Sequence, residues 1–186
     1  MANYQRSPAR FMFANELKQC SMAVTEGEGQ FAAAHTISPT GEDIHRVFMV
    51  GVATEKEDIG NDNAYWMVRI VDSSGSILGY AGTYQPEAML AADELDVPSF
   101  VALSGKMRLF TTEDGTVISS INLESIFRVE KDSMDLYTYF AARNLLTRLL
   151  QPDESNPAVA IARENYELNK EEYFEMVKNA LESIKD

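Results

Sequence analysis

The chain has 186 residues, 45% hydrophobic and 24% charged, with 16 Lys and Arg against 29 Asp and Glu and a formal net charge of −13. That suits one folded domain, or one domain with a substantial appendage, able to bury a real core. The single cysteine, Cys20, excludes an internal disulfide and a Cys-rich zinc site, and no apolar run is long enough to span a membrane.

Residues 10–24 read as one strand, followed by a loop through Gly27, Gly29 and the Ser38-Pro39-Thr40-Gly41 turn signal. His45 to Thr54 is β-rich and leads into an acidic loop, Glu55 to Asn63. Residues 64–71 alternate Trp66, Val68 and Ile70 against Tyr65, Met67 and Arg69, which predicts a second strand. Asp72 to Gly75 is a tight turn, and Ile77 to Tyr84 returns as a third strand. Pro86 in a first turn, with Ala88, Met89, Ala91, Ala92 and Leu95, predicts a short helix. A fourth strand (100–110), a turn at Glu113-Asp114-Gly115 and a fifth strand (116–130) follow.

Three strands, a helix and two further strands is the order of a five-stranded Greek-key barrel of the oligonucleotide/oligosaccharide-binding (OB) type. Beyond Glu130 the pattern is helical. Residues 132–150 carry one stripe of Met134, Tyr137, Ala141, Leu145 and Leu149 and a second of Leu136, Phe140, Leu146 and Leu150. A helix apolar on two sides must be covered on two sides. The barrel is one cover, and either the chain's own tail or another subunit is the other. Asn156-Pro157 and Asn169 with Glu172 signal two more helices. The expected fold class is β + α: an N-terminal extension (1–43), an OB barrel (44–130) and C-terminal helices (131–186). The three parts carry net charges of −2, −7 and −4, so none is a basic arm.

Several residues carry more than a fold class. Val47 to Ala88 holds a valine-rich strand, a Thr-Glu-Lys-Glu-Asp-Ile-Gly loop, Tyr65-Trp66, Val71 to Gly75 and, most specific, Tyr80-Ala81-Gly82-Thr83-Tyr84-Gln85-Pro86-Glu87-Ala88. With Val101 to Arg108, Glu113 to Thr116, Glu124 to Ile126 and the ending Glu172 to Glu182, this resembles the archaeal replication protein A–associated family. The resemblance covers most of the chain from about Pro8. It implies an OB-fold subunit of a single-stranded-DNA-binding complex, acting in replication and repair beside a larger replication protein A subunit.

An OB barrel holds single strands across its second and third strands, with aromatic rings for bases and cations for phosphates. Strand parity places Arg69, Tyr80, Tyr84, Lys106, Arg108 and Phe110 opposite the core face, with Ser120 and Asn122 beside them on the fifth strand. Trp66 shares the core parity. The acidic loop opposes this reading, because Glu55, Glu57, Asp58 and Asp62 would repel phosphate. Asp58, Gly60 and Asp62 lack the EF-hand spacing, so no metal site is expected.

No G-x-S-x-G, Walker or G-x-G-x-x-G motif is present, and the two histidines, His35 and His45, have no Ser or Cys motif beside them. Cys20 reads as buried and inert. The expectation is therefore a non-enzymatic protein without cofactor. It would be a cytoplasmic subunit of a hetero-oligomer, with Tyr137, Phe140, Leu145 and Leu149 at the subunit interface. The competing expectation is an acidic adaptor whose barrel contacts no DNA.

Overall fold

A computed structural model describes residues 7–26 and 33–184; Gly27 and Gly29, assigned above to a loop, lie outside them. Residues 10–24 are not one strand. They divide into β1 (Arg10–Phe11), helix α1 (Ala14–Lys18) and β2 (Met22–Glu26), followed by β3 (Ala33–Ile37) and β4 (Asp43–Ile44). The reason is burial: Met12, Phe13, Ala14, Leu17 and Cys20 all face the core, a spacing that only a turn of helix between Phe13 and Leu17 can bury together. The hairpin turn at Asp72–Gly75 caps that helix, with the Ala14 and Asn15 amides donating to Asp72 Oδ2 (2.8 Å) and Ser74 Oγ (3.0 Å).

The barrel strands are β5 (Val47–Asp58), β6 (Trp66–Val71), β7 (Ser76–Ala81), β8 (Ser99–Thr111) and β9 (Val117–Arg128), with helix α2 (Pro86–Glu94) between the third and fourth of these. Their order is β5-β6-β7-β9-β8, and β8 pairs back onto β5, closing the sheet. All contacts are antiparallel except β7–β9, which is parallel. This is the OB fold. Alternation holds along β6 and β7, where Val68, Ile70, Ile77, Gly79 and Ala81 are buried while Met67, Arg69, Leu78 and Tyr80 lie on the outer face; in β8 Val101, Ala102 and Leu103 are all buried. At Gly105 a bulge in β9 brings the strands so close that a Cβ would stand 2.2 Å from the Asn122 carbonyl oxygen, so only glycine fits.

Three helices complete the chain: α3 (Lys131–Leu150), α4 (Pro157–Asn165) and α5 (Lys170–Glu182). The stripe Tyr137, Ala141, Leu145 and Leu149 packs into the same core as the barrel, together with Tyr173, Met176, Val177 and Ala180 of α5. The Tyr137 hydroxyl donates to the Met12 carbonyl. The cover for that side of α3 is thus the chain itself. Tyr137, Leu145 and Leu149, expected at a subunit interface, are at most 2% exposed within this chain and have no surface to offer another. Phe140 is half-buried, and Leu136, Tyr139 and Leu150 stay exposed. Helix α4 instead covers the three-stranded sheet β2-β3-β4 through Ala158, Ala162 and Ile37. Among the described residues no helix is long and apolar enough to cross a membrane.

Candidate nucleic-acid interface

The outer face of the barrel is organised by register. Lys106 of β8 lies opposite Asn122 of β9, Asn122 opposite Tyr80 of β7, and Tyr80 opposite Met67 of β6. A second row sets Arg108 against Ser120, and Leu78 against Arg69. Lys106 is exposed and, among the described residues, has no ion-pair partner. Tyr84, 93% exposed, stands in the turn after β7. With Lys106 and Asn122 it lines an open groove of about 780 Å³, floored by Ser104, Ser125 and the Arg46–Glu124 ion pair.

Tyr65 completes the aromatic surface. Its parity is that of Met67 and Arg69, yet sequence reasoning selected only the cation of that set. The Tyr65 and Tyr80 rings stack with centroids 5.7 Å apart and planes 13° from parallel, and Arg108 Nη1 donates to the Tyr65 hydroxyl at 3.1 Å. Two devices fix Tyr65. Asp58 Oδ1 accepts from the amides of Tyr65 (2.9 Å) and Gly60 (3.0 Å), which closes the loop 59–65. Those bonds, the Tyr65 amide first, hold the Asp58 carboxyl below the usual aspartate range. Gly82 lies under the ring, where a Cβ would approach Tyr65 Cδ2 to 2.7 Å.

The remaining candidates stand differently. Arg69 Nε pairs with Glu55 Oε2 at 2.9 Å, so its charge is largely compensated. Phe110 is exposed beside Ile118 near the tip of the β8–β9 ribbon, apart from the tyrosines. Ser120 is buried, leaving Asn122 as the polar contact on β9. Trp66, expected in the core, is half-buried, with Lys56 Nζ over its ring 4.9 Å from the centroid. That ammonium also donates to the Ala92 and Asp93 carbonyls at the end of α2.

The acidic loop is shorter than expected. Glu55, Glu57 and Asp58 belong to β5, where Glu55 and Glu57 pair with Arg69 and Met67; only Asp62 remains in the connection. The carboxylates therefore border the outer face along β5, while the cations Lys106 and Arg108 occupy the opposite side.

No protein-family model and no curated protein matches the chain. Solved structures do. A chain from yeast Stn1 and Ten1 is 17% identical over 74% of this chain and 64% of its own, with a TM-score of 0.43. The mitochondrial single-stranded DNA binding protein Rim1 of S. cerevisiae is 13% identical over 46% of this chain and 94% of its own, at 0.36. Asparaginyl-tRNA synthetase from Pyrococcus horikoshii is 15% identical over 53% of this chain and only 25% of its own, at 0.37. At these identities the likeness concerns the fold, which the closed strand order already establishes.

Proposed function

We propose that the chain binds single-stranded nucleic acid non-covalently across β7, β9 and β8, as an accessory subunit of a replication protein A–like complex. The observation that carries this reading is the Tyr65–Tyr80 stack held by Arg108, beside the exposed Lys106. Stacking is indifferent to base identity, and each base on such a ring contributes about 1–3 kcal/mol. The reading is of a binding module rather than an enzyme. The archaeal replication and repair role, and the larger partner, rest on the sequence resemblance. For assembly, the face left by the fold is Leu136, Tyr139, Phe140 and Leu150.

The net charge of −13 and the Glu55–Arg69 pair favour a second reading, an adaptor that docks a basic protein and leaves DNA alone. Titration of labelled oligo-dT into the purified chain at low and at physiological salt separates them. Under the first reading affinity falls as salt rises, by roughly 0.7 log units per log unit of salt for each phosphate neutralised. Lys106 and Arg108 acting together give a slope of about −1.4. Absence of binding at both salts favours the adaptor.

A further inference from the structure

The chain's two histidines, unassigned by the sequence, meet in the small sheet. Strands β3 and β4 are antiparallel with Thr36 opposite Ile44 and Ile37 opposite Asp43, so the same register sets His35 against His45. Asp43 precedes His45 by two residues and therefore points to the same face. The imidazoles stack with centroids 4.4 Å apart and planes within 6°. His35 Nδ1 meets one oxygen of Asp43, and His45 Nε2 lies 3.3 Å from the other. One donor atom from each of the three lies within 4.8 Å of the others.

We propose that His35, Asp43 and His45 bind a first-row divalent cation of borderline softness, with Zn²⁺ as the probe. Two imidazole nitrogens and one carboxylate oxygen suit such ions, whereas Ca²⁺ and Mg²⁺ call for all-oxygen shells. A single ion among the three side chains would accept a lone pair from each ring and from the carboxylate.

The burial is graded as such a site requires. The His35 side chain is 4% exposed and fixed, while those of Asp43 and His45 are 32% and 31% exposed, leaving an entry path and a fourth position for water. Tetrahedral zinc with bonds of about 2.0–2.1 Å sets its donors about 3.4 Å apart, so the rings must fan from parallel as the ion enters. The two outer ligands have the freedom to do this. A bound ion would clamp β4 onto β3. The spacing His-x7-Asp-x-His matches no familiar motif because the turn at Ser38–Gly41, not the chain, brings the ligands together.

The test is calorimetric titration of ZnCl₂ into the tag-free, chelator-stripped full chain, alongside His45→Gln and Asp43→Asn with folding checked by circular dichroism. One saturable Zn²⁺ per chain is expected, with affinity lowered tenfold or more in each variant. In parallel, the ring resonances of both histidines in the parent chain should shift as Zn²⁺ is added, a readout that needs no variant. Absence of saturable binding overturns the proposal. So does binding that leaves both rings unmoved, or that persists unchanged in both folded variants.

Discussion

At the residue scale, the outer face divides into groups that are free to act and groups that are not. Tyr80 and Tyr65 support each other, so Tyr80→Ala should weaken oligo-dT binding by about 1–3 kcal/mol, roughly 5- to 150-fold, measured by fluorescence anisotropy. Lys106→Glu with Arg108→Glu should abolish it. Glu55→Gln should act in the opposite direction: it releases Arg69 from its pair and should tighten binding severalfold, an effect that disappears at high salt. The parity that separates Met67 and Arg69 from Val68 and Ile70 was legible in the sequence, because a strand with one buried face writes its alternation into the residues. The Glu55–Arg69 pair was not legible, since it depends on the register between two strands and on a bulge between Ala53 and Glu55. Tyr65 was legible by the same alternation that gave Arg69, but its value comes from Tyr80, Arg108 and Gly82, which only the folded barrel brings to it.

At the scale of elements, loop 59–65 and helices α1 and α3 each depend on a few groups. The Asp58 carboxyl is held low by the Tyr65 and Gly60 amides, so its folded value lies below its unfolded one. Its contribution to the loop is therefore full above the ordinary aspartate range and is lost as pH falls through the lowered value. The Gly60 and Tyr65 amide resonances should titrate together in that acidic window, and Asp58→Asn should remove the transition. Helix α1 escaped the sequence reading because it has only five residues and no capping side chain of its own; its cap, Asp72, lies 58 residues away. Asp72→Asn turns a donor toward the Ala14 or the Ser74 amide and should cost about 1–3 kcal/mol in chemical denaturation. For α3, both apolar stripes were legible, but which one the chain covers was not, because a stripe does not state its partner. The exposed residues now make a cleaner assembly variant than the buried ones. Leu136→Asp should lower the mass of an assembled complex in light scattering while leaving the melting curve of the chain unchanged.

At the scale of the whole molecule, the three segments read from the sequence share one hydrophobic core. Met12 to Cys20, the barrel interior, α3 and α5 all contribute to a single cluster. An ionic network reinforces it: Arg148 on α3 reaches buried Glu16 on α1 at 2.6 Å and Glu42 at 3.1 Å, and Thr40 donates to Glu16 at 2.7 Å. Arg148→Met would leave Glu16 buried without its counter-charge and should cost about 3–5 kcal/mol, read as a lowered denaturation midpoint for barrel and helices together. The barrel topology was legible because strand order, turn residues and the single helix leave few ways to close such a sheet. The joining of the tail to that barrel was open, since it rests on contacts between residues more than 100 positions apart, such as Tyr137 with Met12.

The proposed function places nucleic acid on the outer face of β7, β9 and β8. The most direct measurement is the change in backbone amide resonances of the labelled chain as oligo-dT is added at low salt. Shifts are expected at Tyr65, Tyr80, Tyr84, Lys106, Arg108 and Asn122, with the β3–β4 sheet and α5 unmoved. Shifts confined to the helices, or none at saturating oligonucleotide, would contradict it.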